Sequence, residues 1–262
     1  MEPETSLGSL RDAEVVARRA RVVLRPLTSA LIDLEDVGRV IVFGGALRDL
    51  CEVTPSRFFR DVDLVVDGDP AEVAAVCERL GGKRNRFGGY RLSVQGRLLD
   101  VWALSRTWAI VEGLVPLSGI ESLLQTTYFS TDSIAYSTNC GRVYAAPDYF
   151  EKRRRREVEL VLAQNPHPTG ALLRTLKLLF AQRAALSWTL ARQTEELLAE
   201  HWAYLTSNGR NALRELGASA VLESVRDKLA EYLSGNERTI PFSLAERRFE
   251  PSQSLLPLSP DQ

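Results

Sequence analysis

The chain has 262 residues, 45% apolar and 26% charged, with a net charge of −1. That is length for one large or two small domains with a core that needs no staples, and the charge balance argues against a bulk polyanion binder. No apolar run approaches the roughly 18 residues that span a bilayer. The three scattered cysteines (Cys51, Cys77, Cys140) and two histidines (His167, His201) form no zinc pattern or disulfide framework, and the acidic first residues do not read as a signal peptide, so a cytoplasmic protein without a membrane part is expected.

In chain order, Leu7, Leu10, Val15, Val16, Val22, Val23 and Leu24 predict helix over the first 33 residues, interrupted at Pro26. Residues 39–43 read as a short strand ending at Gly44-Gly45, and 46–51 as a turn or two of helix. Residues 61–66 (DVDLVV) form a second strand, closed by Asp67-Gly68-Asp69-Pro70. Pro70 and Glu72 start a helix that runs to Leu80 and stops at Gly81-Gly82. Tyr90, Leu92 and Val94 alternate with polar residues and turn at Gln95-Gly96 into 97–104, a hairpin. A β segment over 129–137 turns at 139–141 into 142–145. From Pro147 onward the pattern is helical, over 149–156, 169–186, 187–205, 210–216 and 218–233. The proline-bearing last residues predict a loose tail. The fold class is therefore α+β: a mixed α/β head over 1–146, a helical part over 147–235 and a tail over 236–262.

Four features carry chemistry. The first is strand, Gly44-Gly45, helix, with Arg48 three residues on. Glycines let backbone approach a ligand, amide groups at a helix start attract phosphate, and Arg48 reaches the same place; a plain tight turn has the same pattern. The second is Asp61 and Asp63, which share one strand face. Two such carboxylates suit Mg²⁺, or they are solvated at a strand entrance. The third is Asp100, a carboxylate among apolar neighbours that needs a partner. Either Arg97 or Arg106 pairs with it, or it shares metal with Asp61 and Asp63, three carboxylates being able to hold two Mg²⁺ roughly 4 Å apart. The fourth is Arg174 and Lys177, one helix turn apart, which either snorkel or face a nucleotide. Between Lys152 and Arg183 there are eight Lys/Arg against two Glu. That excess marks either a nucleic-acid footprint or a solvated helix face.

At these residues the chain resembles the CCA-adding enzymes and bacterial poly(A) polymerases of the polymerase-β-like superfamily. GGALRD (44–49) followed by RDVDL (60–64) is similar to that family's GG-x-VRD and D-[IV]-D signature. FGGYRLSVQGRLLDV (87–101) is similar to its carboxylate-bearing hairpin, FSTDSIAY (129–136) to its F-T-I-N-A-L-A-Y segment, and LRTLK (173–177) to its neck helix. The likeness covers residues 38–190. It implies a small mixed-sheet nucleotidyltransferase head with an α-helical neck and body. Gly44, Gly45 and Arg48 would bind the nucleotide with Arg174 and Lys177. Asp61, Asp63 and Asp100 would be catalytic and hold Mg²⁺.

The sequence departs from that pattern where the base is read. Pro168 and Ala171 stand for the family's first Asp and first Arg of the neck motif, Thr126 or Thr127 for an arginine, and Asp132 for Asn. The loop from Arg48 to Asp61 is long and carries Phe58, Phe59 and Arg60. Only about 60 helical residues follow the neck. The resemblance therefore implies NMP transfer from an NTP to a hydroxyl, foremost an RNA 3′ end, with a protein or small-molecule acceptor as a further option and weak base discrimination expected. The other class of reading is a silent RNA- or partner-binding module that keeps the fold.

Overall fold

The computed structural model describes residues 7–52, 55, 61–207, 221–235 and 238–244. The Phe58-Phe59-Arg60 loop, the helix expected over 210–216 and the tail beyond 244 lie outside the described residues. Helix α1 (Leu7–Leu24) ends in a single 3-10 turn, Arg25–Leu27, at Pro26, and α2 (Thr28–Glu35) follows. Strand β1 (Gly38–Phe43), helix α3 (Gly45–Leu50), strand β2 (Val62–Gly68) and helix α4 (Pro70–Arg79) come next. Asp69 caps α4, accepting hydrogen bonds from the amides of Ala71 and Glu72, which satisfies donors a helix start leaves open.

Strands β3 (Lys83–Arg84), β4 (Tyr90–Val94) and β5 (Arg97–Ala103) are followed by the short helices α5 (Trp108–Val111) and α6 (Ile120–Gln125). Strands β6 (Ile134–Ser137) and β7 (Val143–Ala145) complete one seven-stranded sheet, ordered β3-β4-β5-β2-β1-β6-β7. The segment from Phe129 to Ser133, expected to be strand, instead holds a 3-10 turn at Ser130–Asp132. The Tyr149 hydroxyl donates to the Thr131 carbonyl at 2.8 Å and fixes that turn.

The chain continues through α7 (Tyr149–Arg154), β8 (Glu157–Val158), α8 (Pro168–Ala181), β9 (Ala185–Leu186), α9 (Trp188–Ser207), α10 (Val221–Ser234) and β10 (Phe242–Ser243). The helix expected over 169–186 stops early. Arg183 adopts a left-handed φ of 51° and the Ala184 amide returns to the Leu178 carbonyl, an αL-type stop built without glycine. Residues 185–186 then form the middle of a second sheet, ordered β10-β9-β8. Phe242 is buried there, so this part of the expected loose tail is a strand.

The large sheet presents two unlike faces. Val62, Leu64 and Val66 point with Val40, Val42, Leu99 and Val101 into the main core under α1, α2 and α4. Val65 and Ile41 point the other way, into a smaller cluster with Leu104, Ile120 and Leu123. Helices α5 and α6 thus cover only part of that second face. A third cluster joins Tyr128 and Phe129 to α8, α9, α10 and β10. Among the described residues no helix is long and apolar enough to cross a membrane.

Leu64 sits fully buried in a central strand. Leu64→Ala is expected to lower unfolding stability by about 2–5 kcal/mol, read as a shifted urea midpoint with unchanged slope.

Candidate active site

Alternation along β2 decides where the carboxylates go. Leu64 and Val66 face the main core, so Asp63 takes the opposite face with Val65. Strand β5 runs parallel to β2 with Asp63 opposite Asp100, and β1 runs antiparallel with Asp63 opposite Phe43. Register partners share a face, so Asp100 stands beside Asp63. Asp61, two residues earlier and just outside the strand, lies on the same side at the sheet end.

The partner of Asp100 is neither Arg97 nor Arg106. Arg91, opposite it on β4, donates from Nε to Oδ1 at 2.9 Å and from Nη2 to Oδ2 at 2.6 Å. The same Nη2 lies 3.8 Å from Oδ2 of Asp61. The hydrogen bonds and charge of Asp100, helped by Asp61 and Asp63, raise the Arg91 pKa further above its ordinary value.

Next to this face, β1 passes into α3 through Gly44, whose φ of +69° and ψ of −130° require glycine. Arg48, one turn into α3, is mostly buried. Its Nε reaches Asp49 at 3.0 Å and its Nη1 reaches Asp132 at 2.5 Å. Burial disfavours the charged guanidinium, but Asp132 and Asp49 more than offset that, and the Arg48 pKa is raised.

From the far side comes α8. Ala171, Leu172, Leu176 and Leu179 face the third core, which turns Arg174 and Lys177 outward. The Arg174 guanidinium lies 5.4 Å from the Phe129 ring centroid, within cation–π range. Burial pushes the neighbouring Tyr128 phenol up to about 12; it is therefore a neutral hydroxyl at any physiological pH.

These elements enclose a cleft of about 430 Å³, within the range of small-molecule sites. Gly44, Gly45, Arg48, Asp63, Arg174 and Lys177 line it together, although they come from segments more than 100 residues apart. Asp61 and Asp100 are not on its lining; they sit behind Asp63 around Arg91. Asn165 and Gln182 also line the cleft, and the sequence reading missed both. Their carboxamides carry acceptors as well as donors. Asn165 Oδ1 accepts from the His167 amide at 2.8 Å, a local turn foreshadowed by Asn165-Pro166.

The fit to a divalent ion is partial. Among the described residues no group of three or more His, Cys, Asp or Glu side chains is placed to share one metal. Asp61 and Asp63 suit one hard cation, which takes one or two carboxylates and completes its shell with water and phosphate oxygens. Asp100 already carries a guanidinium.

The basic stretch is also less available than its count suggests. Lys152 pairs with Glu159 at 2.9 Å, Arg153 with Glu52 at 2.8 Å, and Arg154 with Asp12.

A solved CCA-adding enzyme in complex with CTP superimposes with a TM-score of 0.53 at 17% identity, over 82% of this chain and 54% of that one. The Thermotoga maritima CCA-adding enzyme complexed with tRNA gives 0.54 at 16% identity, over 82% and 53%. The chain shares the fold of these CCA-adding enzymes. It spans about half the length of these structures. By sequence, neither a protein-family model nor a curated protein matches it.

Asp132 already holds one arm of the Arg48 guanidinium, which a phosphate bound there would have to displace or share. Asp132→Asn is expected to tighten tripolyphosphate binding by roughly two- to fivefold, the scale of one screened ion pair. Isothermal titration checks this. Unchanged or weaker binding would mean that Asp132 aims Arg48 rather than competing for it.

Proposed function

We propose that this chain is a nucleotidyltransferase that moves a nucleoside monophosphate from an NTP to a hydroxyl, with an RNA 3′ end as acceptor. The observation that carries the reading is the cleft, where Gly44, Gly45, Arg48, Asp63, Arg174 and Lys177 converge. The fold adds support at the level of architecture, and its solved counterparts are described as complexes with CTP and tRNA. Because this chain covers about half of them, the acceptor rests on analogy.

Within that reading, Gly44 lets the β1–α3 backbone approach the triphosphate and Arg48 holds it from the side. Arg174 and Lys177 face the nucleoside end from α8. Mg²⁺, held by Asp61 and Asp63, would supply the positive charge that the reaction gathers around the triphosphate. In the transfer itself the acceptor oxygen attacks the α-phosphorus in line. A bond forms from that oxygen to phosphorus as the bond to the β-phosphate bridging oxygen breaks. Its electron pair leaves with pyrophosphate, and the hydroxyl proton passes to solvent. The chain's part is to align donor and acceptor and to hold charge where it develops.

A binding-only reading draws on the two ion pairs that already neutralise Arg48 and Asp100. Pyrophosphate release separates the two readings. With labelled NTPs, total RNA and Mg²⁺, the wild-type chain is expected to release pyrophosphate and label RNA. Asp63→Ala is expected to reduce that rate by at least about 10²–10³. Nucleotide binding without pyrophosphate release favours the binding module.

Base preference follows from the cleft lining. Arg174 and Lys177 only donate, while Asn165 and Gln182 can present either group. Among the described residues of the lining, none on α8 is a carboxylate that demands one base edge. The spread of kcat/KM across ATP, CTP, GTP and UTP is expected to stay below about 10³. A larger preference, measured with one acceptor, would assign base reading to residues outside this set.

A further inference from the structure

The β4–β5 hairpin turns in two residues, Gln95 at φ 49° and Gly96 at φ 78°, both left-handed. A two-residue turn of this kind locks strand register, so Arg91 is held opposite Asp100. The two nearly parallel bonds, 2.9 and 2.6 Å, engage both oxygens of Asp100. Arg91 also reaches toward Asp61 at 3.8 Å. A guanidinium fork matched to a carboxylate in this way is geometrically specific as well as charged.

Both oxygens of Asp100 are therefore already engaged by a cation of the chain itself. A second ion bound through Asp100 would have to displace the fork or sit against its positive charge. We propose that Arg91 is the resident cation of this face, taking Asp100 in place of a second divalent ion, so that the site holds one ion at Asp61 and Asp63. The proposal rests on the nucleotidyltransferase reading and sets its metal stoichiometry. Arg91 is thereby a positioning residue, acting through Asp100.

The experiment counts ions instead of turnover. The full chain is titrated with Mn²⁺ in the presence of saturating α,β-methylene ATP. Free Mn²⁺ is read by electron paramagnetic resonance and bound nucleotide by equilibrium dialysis. One Mn²⁺ per bound nucleotide is expected for the wild type and for Arg91→Lys, which keeps the charge. Two are expected for Arg91→Ala, in which Asp100 is released. Two ions in the wild type overturn the proposal, and that result needs no variant to fold. A folded Arg91→Ala that still binds one ion overturns it as well, while nucleotide binding leaves the nucleotidyltransferase reading standing. A wild-type chain that binds no nucleotide removes both together.

Discussion

The parallel pairing of β2 with β5 is the constraint on which the site depends. Its register puts Asp63 opposite Asp100 and Leu64 opposite Val101. Because side chains alternate, one pairing buries Leu64 and Leu99 in the main core and turns both carboxylates to the other face. A slip of one residue would exchange the two sets, burying charge and exposing the core. The hydrophobic pattern of the strands therefore fixes the carboxylate cluster. Stability and site share one cause.

The second face is usable because its cover is incomplete. Ile41, Val65 and Ala135 pack against Ile120 and Leu123 of α6, while the Asp63 end of the same strands is left to the cleft. Closing the cleft falls to a different unit. Phe129 is buried with α8, α9 and α10 and meets Arg174 through its ring. The head thus supplies the glycine turn, Arg48 and the carboxylate of Asp63, and the helical part supplies the opposite wall. Arg48 and Arg91 share a further property. Each is a guanidinium already matched by carboxylates.

Much of this was legible in the residues. Alternation in β2 and β4, the glycine pair before α3 and the Asp69-Pro70 helix start all gave their elements, because each signal is local. The position of Asp100 beside Asp63 followed from resemblance and not from pattern, since strand pairing between distant segments leaves no local mark. Its arginine partner is Arg91 and not the expected Arg97 or Arg106, although the sequence carries the signal. A two-residue turn at Gln95-Gly96 pairs Val94 with Arg97, and counting back pairs Arg91 with Asp100. Helix α8 ends at Ala181, short of the expected 186, because Arg183 takes the left-handed stop that glycine usually marks. Asn165 and Gln182 carry no local signal of a site. They are ordinary polar residues, and only the packing of α8 on Phe129 gives them a cavity to line. The charge excess after Lys152 was counted correctly, but its partners Glu52 and Asp12 lie far away in sequence.

Strand β10 gives the chain a schedule. Phe242 closes the helical core by pairing with Leu186, and β9 in turn joins β8 at Glu157–Val158. This small sheet ties together segments some 85 residues apart, and contacts of that span form slowly because a long loop must close first. All seven strands of the larger sheet are complete by Ala145. During synthesis at about 5–20 residues per second, the sheet can therefore assemble on the emerging chain several seconds before Phe242 is made. From the completion of α9 at Ser207 until Phe242 is made, the apolar sides of α8 and α9 wait without their last strand.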